Sequence, residues 1–129
     1  MLAVIDTNIL VSALWSRNGA PARVISMVLT GKVIPCYDYR ILCEYRTVLQ
    51  RPKFSFPSSE VKALLDWFET YGRSVVADPL DDVFVDEEDK KFYEVAKYCN
   101  AVLVTGNLKH YPQDPMVLSV PEFFQRNMN

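Results

Sequence analysis

The feature that most constrains this chain lies at its start, where four consecutive apolar residues, Leu2-Ala3-Val4-Ile5, end on an aspartate, Asp6. A short apolar run without alternation reads as a strand buried on both faces, and such strands belong to parallel sheets covered by helices. Asp6 then falls at the carboxyl end of the strand, the side of an open α/β sheet on which ligands bind. A second run of this kind, Ala101-Val102-Leu103-Val104-Thr105, leads into Gly106-Asn107, and the same argument places that turn near Asp6. An aspartate after a strand also serves as an ordinary turn or helix-cap residue, so Asp6 alone decides nothing.

Between these runs, helical and strand patterns alternate. Ile9-Leu10-Val11 with Ala13-Leu14-Trp15 reads as helix, broken at Arg17-Asn18-Gly19. Pro21 suits the first turn of a second helix, with Gly31 after Thr30 as its C-cap. Val33 to Tyr37 reads as a strand in which Pro35 suits a start or an edge better than a centre. Asp38 caps a helix to about Arg51, stopped by Pro52, and Pro57-Ser58-Ser59-Glu60 introduces another, to about Tyr71, with Gly72 after it. Ser74 to Ala77 reads as a third strand and Asp78 to Val85 as a connection. Asp86 to Tyr98 reads as a helix with an acidic first turn, Met116 to Leu118 as a short last strand, and Pro121 to Met128 as a final helix. This alternation predicts a three-layer α/β/α, Rossmann-like fold around a central, mostly parallel sheet of four to five strands. The 129 residues fit one domain, 1–129.

The net charge of −2 lacks the basic excess of a general DNA-coating protein. It leaves a nuclease open, because carboxylates that hold metal lower the charge without forming a nucleic-acid surface. The three cysteines, Cys36, Cys43 and Cys99, are odd in number and form no C-x-x-C pair, so they read as reduced thiols in the core and not as a zinc site. No apolar run reaches the ~20 residues that span a bilayer. Residues 1–10 lack a basic region and carry Asp6, so no signal peptide and no membrane partner are expected, and the expected location is cytoplasmic.

Three acids stand out by position. Glu44 lies on the flank of the stripe Ile41, Leu42, Tyr45, Val48 and Leu49, with Arg40 and Thr47 on the solvent side. A flank glutamate is commonly a solvated residue whose stem covers apolar surface. Asp86 is a good N-cap, and acids in a first turn favour the helix dipole, which accounts locally for Asp86, Glu87, Glu88 and Asp89. Asp89, however, also flanks the face carrying Phe92, Ala96 and Cys99, where a carboxylate needs compensation. If Asp6, Glu44 and Asp89 converge, their mutual repulsion perturbs their ionisation and a divalent cation resolves it. Such a cation activates water and stabilises charge on a phosphoryl oxygen. The single histidine, His110, argues against a paired-histidine ribonuclease, and no glycine-rich phosphate loop is present.

In their order and spacing, Val4-Ile5-Asp6-Thr7-Asn8, Glu44, the Asp86-to-Ala96 segment and Val102-Leu103-Val104-Thr105-Gly106-Asn107 resemble the PIN-domain family. The likeness is strongest to the VapC-like ribonuclease toxins of toxin–antitoxin pairs, and it covers essentially the whole chain. It implies a PIN-like fold and a metal-dependent endoribonuclease that hydrolyses RNA phosphodiesters with one or two Mg²⁺ or Mn²⁺ ions. By the resemblance, Asp6, Glu44 and Asp89 are the catalytic, metal-holding acids. Thr7 and Asn8 fall where a hydroxyl or amide binds phosphate or orients the site, and Thr105 falls on the hydroxyl that supports the first acid. Asn107 stands where the family usually has aspartate. Its amide is a weaker, neutral ligand, which bears on a second ion and on full activity, and Asp86 is near enough in sequence to supply the missing charge.

RNA contacts are expected from Arg17, Lys53 and Lys109, weighed against ordinary surface charge, with single-stranded or looped RNA as target. The resemblance also implies a small antitoxin that covers the site or a groove beside it. Trp67, Phe68 and Tyr71 offer a homodimer surface, or else pack in the core. Two other functions compete. One is a catalytically impaired PIN domain that only binds RNA or protein, supported by Asn107. The other is a haloacid-dehalogenase-type phosphatase, whose second aspartate is here Asn8 and whose cap domain does not fit this length. A phospho-acceptor receiver domain needs paired acids after the first strand, and these are missing.

Overall fold

Burial of β1 (Leu2–Ile5) organises the sheet: Ala3, Val4 and Ile5 are fully buried. In this computed structural model, which describes residues 1–127, β1 pairs in parallel with β2 (Ile34–Tyr37) on one side and β4 (Val102–Val104) on the other. β3 (Arg73–Ser74) adds outside β2 and β5 (Val117–Leu118) outside β4, so the order is β3-β2-β1-β4-β5 with every pair parallel. The chain leaves β1 toward β2, and after β3 it crosses back to β4 on the opposite side. The crevice at the carboxyl ends of β1 and β4 is therefore the topological switch point, where such sheets bind ligands.

Among the described residues, six helices flank the sheet: α1 (Thr7–Trp15), α2 (Ala20–Leu29), α3 (Tyr39–Leu49), α4 (Ser58–Tyr71), α5 (Lys90–Cys99) and α6 (Val120–Asn127). The Asp38 side chain caps α3 by accepting the Ile41 N–H at 3.0 Å, and the stripe Ile41, Leu42, Tyr45 and Leu49 is buried as its spacing requires. α5 packs against β1, β2 and β4. Tyr45, fully buried, meets Phe68 edge-on at 5.6 Å and donates its hydroxyl proton to the Ile5 carbonyl, which ties α3 to the end of β1.

Several boundaries differ from the sequence expectation. α1 begins at Thr7, with no residue between strand and helix except Asp6 itself. Pro35 lies inside β2, between two strands. It is tolerated because its neighbour Ile34 bonds the Met1 carbonyl on the β1 side, while pairing with β3 starts only at Cys36. α3 ends at Leu49, and Pro52 opens a 3-10 turn, Pro52–Phe54. The third strand is Arg73–Ser74 and not Ser74 to Ala77. Val75 still donates to the Tyr37 carbonyl, but Val76 is 88% exposed and has nothing to pack against. The segment from Asp86 is not the first turn of α5 but a separate 3-10 turn, Glu87–Asp89, capped by Asp86. Phe68 is core and not interface, and Trp67 is partly buried with its indole N–H on the Val28 carbonyl, so of the three aromatics only Tyr71 is exposed. Cys36 is buried, while Cys43 and Cys99 are only half-buried; all three are free thiols. The expected end of the last helix, Met128, lies outside the described residues.

Gly72 joins α4 to β3 under close approach. A Cβ there would meet the Phe68 carbonyl oxygen at 2.4 Å and the Pro35 carbonyl oxygen at 2.7 Å, both backbone atoms that cannot turn aside. Gly72→Ala should cost about 1–3 kcal/mol in urea denaturation, the usual penalty of overpacking. An unchanged midpoint would show that α4 and β2 are less tightly apposed than this.

Candidate active site

The switch-point crevice holds Asp6. Its N–H bonds the Val104 carbonyl at 3.0 Å, which fixes it between β1 and β4, and its side chain is buried. One oxygen, Oδ2, accepts two hydroxyl protons, from Thr105 at 2.8 Å and from Tyr111 at 2.9 Å. No hydrogen bond reaches Oδ1 from the described residues. Burial pushes the Asp6 carboxyl above its usual range; the two hydroxyls pull it back, and the charges of Asp89 and Glu44 push it further up.

Glu44 projects from α3, where its Oε2 accepts the Thr7 hydroxyl proton and its Oε1 pairs with the Lys91 ammonium at 2.8 Å. Asp89 sits half-buried where the 3-10 turn enters α5, its Oδ2 3.0 Å from His110 Nδ1. Its carboxyl is also raised, first by burial, with the His110 bond opposing and the charges of Asp86 and Glu44 adding. The Tyr111 phenol is raised by burial and then by Asp6, Asp89 and Glu44 together, so the three sequence-derived acids share one electrostatic site. Asp86 is exposed and caps the Glu88 N–H at 3.0 Å.

The chemistry of these donors fits a hard divalent cation. They are all carboxylate oxygens, close enough that the charges of Glu44 and Asp89 raise the Asp6 carboxyl and that of Glu44 raises Asp89, and Asp6 Oδ1 is an acceptor with no proton donor among the described residues. Among the described residues no three His, Cys, Asp or Glu side chains close into a ready cage. The fit is therefore to an ion with few direct protein ligands and several retained waters, as Mg²⁺ prefers.

The remaining expected residues divide. Thr105 supports Asp6 and also accepts the Asn107 N–H at 3.0 Å. Thr7 is committed to Glu44, and Asn8 Oδ1 accepts the Gly106 N–H at 3.1 Å, so both brace the site from within. Asn8, Thr105, Asn107, Lys109 and His110 line one groove beside the acids; Arg40, Glu44, Arg51 and Lys91 line another. Arg17 is not brought to the acids: it pairs with Glu60 in an apolar groove between α1, α2 and α4. Lys53 is exposed, over the Phe54 ring. Sequence reasoning missed Lys91, Tyr111 and the partnership of His110 with Asp89. Lys91 had one usable signal, its place beside Phe92 on the buried side of α5; Tyr111 had none, because only the tertiary fold carries its loop to Asp6.

Comparison with known proteins bears on the family and the fold. The model of the PIN domain matches residues 3–109. An uncharacterized protein of Methanocaldococcus jannaschii is 30% identical over 107 residues, which are 81% of this chain and 69% of that protein. The fold is similar to that of a chain in the crystal structure of VapBC2 from Rickettsia felis bound to a DNA fragment from their promoter. That likeness has a TM-score of 0.59 at 18% identity and covers 92% of this chain and 97% of that one. With a family model matched along most of its length and its acids gathered at the switch point, this chain belongs to the PIN domain family.

Proposed function

We propose that the protein is a metal-dependent endoribonuclease, with Asp6, Glu44 and Asp89 holding Mg²⁺ or Mn²⁺ directly or through water. The observation that carries this reading is the buried Asp6 carboxylate, repelled by two other acids and left with one oxygen free of hydrogen bonds. A bound ion would supply Lewis-acid chemistry, activating water and neutralising charge on the phosphoryl oxygens. The chain's own residues do the positioning. Thr105 and Tyr111 fix Asp6, Thr7 and Lys91 fix Glu44, and His110 fixes Asp89. Lys109 lines one groove and Arg51 the other, which supports assigning them to the backbone of single-stranded RNA.

A small antitoxin-type partner belongs to the same reading, supported by the likeness in fold to a chain of a VapBC complex. The apolar groove lined by Leu14, Ile25, Leu29, Leu64 and Trp67 is the surface we assign to it. Asn107 favours a second reading, a PIN domain that binds RNA without cutting it.

Pure protein should cleave a labelled single-stranded RNA pool in Mn²⁺ and not in its absence, and Asp6→Asn should reduce cleavage to background. Full activity in that variant would refute the assignment; no cleavage with Mn²⁺ still bound would favour the binding reading. Asp86→Asn should weaken Mn²⁺ binding, since its charge acts on Asp89; an unchanged affinity in calorimetry would remove Asp86 from the site.

Burial of Asp6, with the repulsion added to it, sets a pH dependence. Asp6 titrates above 3.8 when folded, so the folded chain binds more protons than the unfolded one between the two pKa values. Its contribution to stability is complete below pH 3.8 and is lost as pH rises through the folded pKa. Metal-free Asp6→Asn should therefore melt above wild type at pH 7, with the gap closing as pH falls toward 4. A lower or equal melting temperature at pH 7 would contradict the burial argument.

A further inference from the structure

Lys91 is a charged residue that is only 7% exposed. Lysine is rarely buried to this degree unless it is paired. Its ammonium has three protons, and the site offers three acceptors: Glu44 Oε1 at 2.8 Å, the Glu88 carbonyl, and Glu88 Oε2 at 3.3 Å. It stands two residues beyond Asp89, on the α5 side of the acids, and reaches across to α3. Its bond to Glu44 complements that of Thr7, so both Glu44 oxygens are engaged. The other two acids differ. Asp6 has Oδ1 unbonded, and Asp89 has only Oδ2 bonded, among the described residues. Acceptors open to a cation therefore lie on the Asp6 and Asp89 side, and the Glu44 side already carries a positive charge.

We propose that Lys91 is a built-in cation of the acidic site, a positioning residue that holds Glu44 and neutralises it, so that the chain takes up one divalent ion, held at Asp6 and Asp89 with Glu44 contributing only through water. The inference rests on the reading of this site as metal-binding. Charge balance supports it. Within the crevice, the three carboxylates of Asp6, Glu44 and Asp89 against one ammonium leave two negative charges, which one divalent ion cancels; Glu88, the other partner of Lys91, is 83% exposed and is screened by solvent. A second ion would have to displace Lys91 from Glu44, and Asn107 adds no charge to hold it. If Lys91 were only a brace between α3 and α5, its replacement would lower stability and leave metal binding unmoved.

The test is calorimetric titration of the metal-free chain with Mn²⁺, for wild type, Lys91→Gln, Lys91→Met and Lys91→Arg, with melting temperatures measured alongside. Wild type should bind one ion per chain. Lys91→Gln should bind it roughly tenfold tighter, because a positive charge beside the ion is removed while Thr7 still holds Glu44. Lys91→Arg should keep the wild-type affinity. If Lys91→Met does not fold, Lys91→Gln and the wild-type stoichiometry carry the test. Two ions in wild type, or unchanged or weaker binding in Lys91→Gln, would overturn the role of Lys91 and leave the metal-dependent nuclease intact. No Mn²⁺ bound by folded wild type would instead overturn the metal reading itself, and this inference with it.

Discussion

The structure depends on one constraint: a carboxylate, Asp6, is buried at the point where the sheet changes direction. Burial alone disfavours its charge, and two further acids nearby disfavour it more. The hydroxyls of Thr105 and Tyr111 offset part of this by donating to one oxygen. They leave the other oxygen for whatever completes the site. A fold that retains such a residue keeps a local instability, and strain of this kind is characteristic of sites selected for binding or chemistry.

Each acid is held by donors from a different part of the chain. Thr105 and Tyr111 reach Asp6 from beyond β4, Thr7 and Lys91 reach Glu44 from α1 and α5, and His110 reaches Asp89 from the last 3-10 turn. The segment that delivers Asp86 and Asp89 is itself anchored. Arg40 bridges Asp38 at 2.7 Å and Glu94 at 2.9 Å, and the other Glu94 oxygen accepts the Leu80 N–H at 2.8 Å. Asp38 in turn caps α3. The cap that starts the helix bearing Glu44 and the clamp on the loop leading to Asp89 are thus parts of one network, which couples the placement of the two acids.

What was legible in the sequence follows from what local patterns encode. β1 and β4 were readable because strands buried on both faces need unbroken apolar runs, and their carboxyl ends then place Asp6 and Thr105 without further information. Glu44 was readable as a flank residue because the α3 stripe fixes its azimuth. The third strand was misjudged because Val75-Val76-Ala77 has strand propensity, yet only the reach of β2 decides where pairing stops. The Asp86–Asp89 turn looked helical because four acids suit a helix start as well as a 3-10 turn. Tyr111 and the Lys91–Glu44 pair were beyond local patterns, since they join residues 105 and 47 positions apart in the chain. Nothing in the sequence around Tyr111 distinguishes a tyrosine that meets a carboxylate from one that fills the core.

Asn107 can be understood from the relay it enters. Its backbone N–H donates to Thr105 Oγ1, and that hydroxyl donates onward to Asp6. The relay uses only the backbone of residue 107, so asparagine and aspartate serve it equally. What separates the two residues is charge. An aspartate at 107 would add a further negative group to a site in which Asp6 and Asp89 are already pushed toward protonation, first by burial and then by neighbouring acids. The neutral amide avoids that repulsion, and on the Glu44 side Lys91 relieves it with a cation of the chain's own. The neutral residue and the internal cation act in one direction, toward a site with less uncompensated negative charge than a cluster of four unpaired acids would carry.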